Sequence, residues 1–438
     1  MQAVIMAGGK GTRLAELTKN EIPKPMVPVA GKPLLLWQIE HLKEYGIRHV
    51  TMITGYLGNR ITEYFGDGSE FGITIDYIEE EEPLGTAGAL FFLRKKITDP
   101  YFLLVFGDVF FDIDLGRMEN FHREKKSFAT LFAHPNAHPF DSDLIQADKN
   151  GRVTGFDSKH NVRDYWYDNL VNAGIYILNR EICGRIPAPV KTDFEKDVLL
   201  PMTRTDEAVY AYRSPEYVKD IGTVDRIRKT EEDIRSGFIA ARNLKNRQKA
   251  IFLDRDGVIN VLKGFLFREE ELELYPEAAG AIGRINSSEY LAIVTSNQPV
   301  VARGDCTMEE LRNIFNKMET LLGKEHVYVD DVFFCPHHPD KGFPGENPAY
   351  KIDCECRKPK TGMLKEAVLK YNIDLSASWV IGDMTQDIEF GKRGGCRTAL
   401  VLTGSAGKDG KYNTVPDITC RDISEAVDKI LEKNHVDS

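Results

Sequence analysis

The chain has 438 residues, 42% hydrophobic and 28% charged, an ordinary globular composition that excludes a largely disordered or collagen-like chain. Its 57 basic and 67 acidic residues leave a net charge of −10, which argues against the basic footprint of a nucleic-acid or anionic-membrane binder. A phosphate-bearing substrate would therefore need local positive charge or a metal. The length fits two large domains as well as three small ones. No window approaches the roughly 18 apolar residues of a membrane span. The opening MQAVIMAGGKG lacks the basic segment of a secretory signal, so the expected location is the cytoplasm. Seven cysteines (183, 306, 335, 354, 356, 396 and 420) read as reduced thiols. Three of them lie with histidines between residues 335 and 356, and there the sharper reading is a metal.

Short apolar runs recur along the chain, most of them closing on Gly, Asp, Thr or Ser. In order they are AVIMAGG (3–9), HVTMITG (49–55), YFLLVFGD (101–108) and AGIYIL (173–178). A second series follows: KAIFLD (249–254), YLAIVTS (290–296), DVFFCP (331–336), SWVIGD (378–383) and RTALVLTG (397–404). Runs this short and this rich in Val, Ile and Phe read as buried strands of mainly parallel sheets. Helical patterns alternate with them at 33–46, 307–323 and 423–433, which gives an α/β architecture. A charged helix is expected from Glu216 to Arg235. The basic, polar stretch that follows marks a boundary, giving domains at 1–235 and 249–438 with a linker at 236–248.

The first domain opens on Ala7-Gly8-Gly9-Lys10-Gly11-Thr12-Arg13-Leu14, directly after the first strand. Glycines let backbone N–H groups approach a polyphosphate, and Lys10 and Arg13 add positive charge. The spacing is neither that of a P-loop nor that of a dinucleotide fingerprint. Taken alone, the segment serves a structural turn as well as a phosphate site. Its companions are Pro23-Lys24-Pro25, the small-residue loop Gly85-Thr86-Ala87-Gly88, Gly107-Asp108 at the end of a buried strand, Asn172-Ala173-Gly174, and Asp220-Ile221-Gly222-Thr223. Strand carboxyl ends are where open α/β sheets bind ligands.

This ordered set resembles the sugar-1-phosphate nucleotidyltransferases over residues 1–235, and among them those that transfer GMP to a heptose 1-phosphate. The resemblance implies a Rossmann-like mixed sheet and attack by a sugar 1-phosphate on the α-phosphorus of a nucleoside triphosphate, here GTP. In such chemistry the protein positions groups and neutralises charge. By the same resemblance Asp108 and Asp220 hold Mg²⁺. Ala7, Gly8, Gly9, Gly11, Thr12 and Arg13 cradle the triphosphate, and Arg13 and Lys24 act at the reacting phosphates. Gly85 and Thr86 lie near the base. Lys159, Asn172 and Glu195 are candidates for the sugar phosphate. Phe156-Asp157-Ser158-Lys159 lacks the proline and the glutamate of the family's Glu-Lys-Pro, and Lys159 and Glu195 read equally well as surface residues. Another nucleotide stays open as the donor.

In the second domain Asp254-Arg255-Asp256-Gly257 follows a buried strand, where two carboxylates are costly unless a cation or ligand meets them. Ser296-Asn297, Lys358-Pro359 and Gly382-Asp383, with Asp387 beyond, complete a series at or just past strand ends. The series resembles the haloacid dehalogenase superfamily phosphatases. The resemblance implies a Rossmannoid domain with Asp254 as nucleophile, Asp256 as acid and then base, and Ser296 and Lys358 on the phosphoryl oxygens. Mg²⁺ would be bound by Asp254, Asp383 and the Asp256 carbonyl. Thr295 competes with Ser296 for its assignment.

Cys335-Pro336-His337-His338 and Cys354-Glu355-Cys356 offer three thiolates and an imidazole, the donor set of a closed structural zinc site formed by Cys335, His337, Cys354 and Cys356. His338 is a reserve ligand. Within the superfamily, the zinc loop and Cys-Glu-Cys-Arg-Lys-Pro resemble the heptose-bisphosphate phosphatases, and histidinol-phosphate phosphatases share the zinc loop. Arg303 and Arg357 are then candidates for the distal phosphate. Pro299-Val300 and Leu262-Lys263 depart from the pattern near the expected entrance. The combined expectation is a bifunctional enzyme acting on GTP and heptose phosphates, with Mg²⁺ in both domains and Zn²⁺ in the second. No nucleic-acid or membrane partner is expected, and a homo-oligomer stays open. The runners-up are another nucleotidyltransferase fused to a histidinol-phosphate-type phosphatase, and a sugar-nucleotide-binding regulator without turnover.

Overall fold

A computed structural model of the chain describes residues 1–11, 14, 18–19, 21–205, 207–342 and 344–434. The chain divides into two compact units. The first comprises Met1–His134, Asp143–Ser158 and Leu170–Asn243; the second comprises Pro135–Ser142, Lys159–Asn169 and Leu244–Ser438.

Among the described residues, the first unit is built on a nine-stranded mixed sheet. Its elements in chain order are β1 (Gln2–Met6), α1 (Leu34–Glu44), β2 (His49–Thr54), α2 (Gly58–Phe65), β3 (Thr74–Glu79) and β4 (Tyr101–Phe106). There follow β5 (Val109–Asp112), α3 (Leu115–Glu124), β6 (Ala129–His134), β7 (Leu144–Ala147), β8 (Val153–Asp157), β9 (Val171–Asn179), β10 (Val209–Arg213), β11 (Tyr217–Asp220), α4 (Val224–Arg235) and α5 (Phe238–Arg242). The main path runs β8-β7-β9-β4-β1-β2-β3, with β6 on β9 and β10 on β6. The strands β4, β1, β2 and β3 are mutually parallel, and β9 runs antiparallel to β4. Side chains alternate across a strand. Accordingly Ala3 and Ile5 of β1 enter the core beneath α1, and Val4 enters the core on the opposite face.

The helix expected to begin at Glu216 begins at Val224. Residues Tyr217–Asp220 instead form β11, paired antiparallel with β5 so that Asp220 lies opposite Val109. Pairing with an available edge overrides helical propensity here, and Thr223 then caps α4 by accepting the Arg226 N–H. That correction brings the two predicted metal carboxylates to one place, because the Ile221 N–H donates to the Asp108 carbonyl at 2.8 Å.

The second unit holds a six-stranded, wholly parallel sheet among its described residues. Its elements are β12 (Lys249–Leu253), α6 (Ala278–Asn286), β13 (Tyr290–Asn297), α7 (Met308–Lys324), β14 (Asp331–Cys335), α8 (Gly362–Tyr371), β15 (Trp379–Gly382), α9 (Thr385–Gly394), β16 (Arg397–Val401), β17 (Ile418–Cys420) and α10 (Ile423–Asn434). The order is β14-β13-β12-β15-β16-β17. Ile251 and Leu253 of β12 pack into one core, Ala250 and Phe252 into the other. Helix α7 starts at a reciprocal Thr307–Glu310 capping box and turns Leu311, Ile314, Met318 and Leu322 inward. The reversal of strand order around β12 opens a crevice at the carboxyl edge, where Asp254 follows the central strand. No helix of the described residues is long and apolar enough to cross a membrane.

Candidate active sites

The loop after β1 lies against its own sheet edge. Ala7 is buried and its N–H donates to the Ile53 carbonyl at 2.7 Å. Gly11 has φ +61°, and a methyl group there would stand 2.7 Å from Lys24 Cβ, so glycine is required twice over. Around Gly9 the space is open. Thr12 and Arg13 lie outside the described residues.

Lys24, in a short 3₁₀ turn, is buried, and its ammonium is held by both predicted metal carboxylates. It bonds Asp108 Oδ2, and Asp220 Oδ1 at 3.2 Å. Asp220 also pairs with Arg226. Two carboxylates converging on one cationic position form an all-oxygen donor set that suits a hard divalent ion.

A second polar cluster gathers at β9. Asn172 Nδ2 donates to the Tyr176 hydroxyl at 2.7 Å and to Glu195, and the Tyr176 hydroxyl donates to Glu195 at 3.3 Å. Burial first, then the charge of Asp143, raises the Glu195 carboxyl to about 7. Gly85, at φ +77°, presses on Thr192, where a methyl group would stand 2.5 Å from the carbonyl oxygen. Thr86 Oγ1 accepts the Phe194 N–H at 2.8 Å, tying the loop expected near the base to the segment that carries Glu195. Lys159 is exposed in a turn and belongs to the second unit.

In the second unit, Asp254, Asp383 and Asp387 bring carboxylate oxygens within 4.8 Å of one another, all buried. Lys358 Nζ donates to Asp254 Oδ1 at 3.0 Å and Asp387 Oδ1 at 2.7 Å. Burial, opposed by Lys358, pushes Asp254 up to about 7. Burial and the neighbouring Asp254 and Asp387 push Asp383 to about 8. Burial acts to lower the Lys358 ammonium, and the two aspartates more than reverse it. Three buried carboxylates against one ammonium are short of positive charge, which fits a divalent cation. Glycines enforce the crowding: at Gly257, φ +85°, a methyl group would stand 2.4 Å from Asp383 Oδ2.

Asp256 turns to a different set of donors. It accepts from Arg255 Nη2 at 3.0 and 2.8 Å, Asn260 Nδ2 at 2.9 Å and Gln298 Nε2 at 2.7 Å. Gln298 Nε2 also reaches Ser296 Oγ at 2.9 Å. Ser296, rather than Thr295, lines the cavity with Asp254, Asp256, Lys358 and Asp383. Arg357 lines the cavity too, whereas Arg303 pairs with Asp305 at 2.7 Å and lies over Phe265 at the cavity wall. Sequence reasoning gave no role to Asp387, Gln298 or Arg255. Asp387 was signalled by its spacing from Asp383; the other two had no signal beyond their neighbours.

Cys335, His337, Cys354 and Cys356 converge at the end of β14. The sulfur separations are 3.4, 3.1 and 3.2 Å, and His337 Nδ1 lies 3.7 Å from Cys335 Sγ and 3.3 Å from Cys356 Sγ. These spacings are too long for disulfides, and the sulfurs lie somewhat closer together than the roughly 3.8 Å edges of a tetrahedron with 2.3 Å Zn–S bonds. His338 is outside the cluster and lines the cavity that holds Asp254 and Lys358. Arg357 Nη1 donates to the His337 carbonyl at 3.1 Å, so the metal loop and the cavity wall share a contact.

A nucleotidyl transferase family model matches residues 2–237, and a HAD-hydrolase-like model matches residues 355–426. Mannose-1-phosphate guanylyltransferase of Mycobacterium tuberculosis is 32% identical over 249 residues, 57% of this chain and 68% of that protein. D-glycero-alpha-D-manno-heptose 1-phosphate guanylyltransferase of Aneurinibacillus thermoaerophilus is 34% identical over 234 residues, 53% of this chain and 98% of that protein. D-glycero-beta-D-manno-heptose-1,7-bisphosphate 7-phosphatase of Pasteurella multocida is 35% identical over 167 residues, 37% of this chain and 88% of that protein.

Proposed function

Because the chain belongs to the nucleotidyl transferase family and carries a HAD-like phosphatase unit behind it, we propose that it performs two consecutive steps toward GDP-D-glycero-D-manno-heptose. The second unit removes the 7-phosphate of heptose 1,7-bisphosphate. The first unit joins the resulting heptose 1-phosphate to GMP from GTP. The observation that carries this reading is the pairing within one chain: the matched regions span nearly all of a heptose-1-phosphate guanylyltransferase and most of a heptose-bisphosphate phosphatase. Removal of the 7-phosphate leaves a heptose 1-phosphate, the class of sugar phosphate that the guanylyltransferase relative's name gives. Substrates and product are cytoplasmic metabolites in this reading.

In the phosphatase unit the Asp254 carboxylate attacks phosphorus and the P–O bond to carbon 7 breaks. Asp256 gives its proton to the departing alkoxide, then takes one from the water that hydrolyses the aspartyl-phosphate. Gln298 and Arg255 fix the Asp256 carboxyl, and Lys358 and Ser296, on the same cavity, would neutralise the phosphoryl oxygens. Mg²⁺ on Asp254, Asp383 and Asp387 would supply charge neutralisation. Asp387 is added to the expected ligands because its carboxylate joins the cluster.

In the transferase unit the sugar-phosphate oxygen attacks the α-phosphorus and pyrophosphate leaves with the electrons of the broken P–O bond. Loop 7–11 and Lys24 provide amide donors and positive charge at that edge, and Asn172 and Glu195 offer polar groups to the sugar. Asp108 and Asp220 would hold a second Mg²⁺, whose chemistry is again charge neutralisation. The Cys335, His337, Cys354 and Cys356 cluster would hold zinc that braces the loop carrying Arg357 and Lys358.

The two named relatives act on opposite anomers at carbon 1. A single chain doing both steps therefore requires a phosphatase that accepts the α-bisphosphate. The test is a screen of the purified chain against both anomers of the bisphosphate for phosphate release, and against four nucleoside triphosphates with heptose or mannose 1-phosphate for pyrophosphate release. Phosphate from the α-bisphosphate and pyrophosphate from GTP with heptose 1-phosphate support the reading. Exclusive use of mannose 1-phosphate, or rapid hydrolysis of histidinol phosphate with the bisphosphate untouched, overturns it.

A further inference from the structure

Residues 351–361, between β14 and α8, form neither helix nor strand, yet this loop delivers the ammonium that meets Asp254 and Asp387. A lysine carries its charge on a long, flexible stem, so the place of the ammonium depends on how the backbone beneath it is held. Lys358 is buried. Among the described residues neither its N–H nor its carbonyl pairs with another backbone group. Both pair with side chains instead.

Asn297, the last residue of β13, makes two of these contacts. Its Oδ1 accepts the Lys358 N–H at 3.0 Å, and its Nδ2 donates to the Lys358 carbonyl at 3.2 Å. One carboxamide thus meets both backbone groups of one residue, as opposite residues of an antiparallel ladder do for each other. Gln386, the second residue of α9, donates from Nε2 to the same carbonyl. Asn297 is itself fixed. It stands opposite Cys335 in the β13–β14 register, and the N–H of the following Gln298 donates to the Cys335 carbonyl at 2.8 Å. The end of one strand and the start of one helix therefore converge on a single residue of an irregular loop.

Asn297 lines the cavity beside Ser296, a place that suits a substrate contact, but its oxygen and its nitrogen are both engaged by Lys358. We propose that Asn297 is a positioning residue for phosphoryl transfer, holding the Lys358 backbone so that the ammonium stands between Asp254 and Asp387 when phosphorus is attacked. The inference rests on the phosphatase reading of the second unit and adds a residue that acts through Lys358. Charge redistributes over the phosphoryl oxygens in the transition state, so a misplaced ammonium costs turnover more than affinity.

The test measures phosphate release by the full chain from heptose 1,7-bisphosphate and from p-nitrophenyl phosphate. Asn297→Ala should lower kcat about 10- to 100-fold on both, the order expected for two lost hydrogen bonds, and should change KM less than about threefold. Asn297→Asp keeps an acceptor for the N–H and sets its second oxygen against the carbonyl, so it should be no more active than Asn297→Ala. Lys358→Ala keeps the backbone groups and lacks the ammonium; adding Asn297→Ala to it should cost no more than about a further twofold. A role in folding alone, or a direct contact with the phosphoryl group, would persist in that background, so an undiminished loss there overturns the inference. A raised KM with kcat unchanged overturns it too and makes Asn297 a substrate contact. If wild type hydrolyses p-nitrophenyl phosphate and leaves the bisphosphate untouched, the heptose reading falls, and the same comparison on p-nitrophenyl phosphate still decides the role of Asn297. If wild type hydrolyses neither, the phosphatase reading and the inference fall together.

Discussion

Replacing Glu195 by glutamine should make the first unit more stable at neutral pH and leave it unchanged in acid. Glu195 is held at about 7, against 4.5 for the ordinary carboxyl, chiefly by burial. In the unfolded chain it ionises at its ordinary value. Between about pH 4.5 and 7 the unfolded state has therefore released a proton that the folded state keeps, and stability falls with rising pH across that window. The full difference corresponds to about 3 kcal/mol above pH 7. In Glu195→Gln the amide oxygen accepts the same bonds from Asn172 and Tyr176 that Glu195 Oε1 accepts now, so packing is kept and the titration is removed. The assay is urea unfolding followed by pulse proteolysis, with fragments of the first unit quantified at pH 5 and pH 8. The variant should exceed wild type by no more than about 1 kcal/mol at pH 5 and by about 3 kcal/mol at pH 8. A difference that is the same at both pH values, or a variant less stable at pH 8, would refute the reasoning.

Asp254→Asn should lower phosphate release at least about 1000-fold, as expected for loss of a nucleophile, and leave pyrophosphate release from directly supplied heptose 1-phosphate and GTP within twofold; loss of both activities in a folded protein would show that the two sites are not independent. Elemental analysis of chelator-free protein should find one zinc per chain, and Cys354→Ser should lower the unfolding midpoint of the second unit and not of the first, since structural zinc contributes folding energy directly. Zinc-free protein with an unchanged midpoint would contradict this. Arg357→Ala should raise KM for the bisphosphate more than for a monophosphate lacking the distal group, and Arg303→Ala should do so less, because Arg357 lines the cavity and Arg303 is engaged by Asp305; the reverse order would exchange their roles.

The strands were legible because buried parallel strands announce themselves as unbroken apolar runs. The runs at 101–108, 290–296 and 378–383 each became a strand whose end delivers Asp108, Ser296 or Asp383. The stretch 216–223 was misread because its charges fit a helix. What makes it a strand is the edge of β5, more than a hundred residues away, and local sequence carries no record of that partner. The gathering of Cys335, His337, Cys354 and Cys356 was readable from spacing alone. By contrast Gln298 and Arg255 were hidden: their role is to hold Asp256, and that depends on which face of a strand end they occupy.

The most direct test of two consecutive activities in one chain is a single-vessel conversion followed by phosphorus NMR. Purified protein, α-heptose 1,7-bisphosphate, GTP and Mg²⁺ should yield phosphate first, then pyrophosphate and GDP-heptose. In Asp108→Asn the reaction should halt at heptose 1-phosphate, and in Asp254→Asn the bisphosphate should persist with GTP unconsumed. Pyrophosphate formed while the 7-phosphate remains in place, or GDP-heptose formed at the wild-type rate by Asp254→Asn, would contradict the proposed order and with it the account of how the two sites are joined.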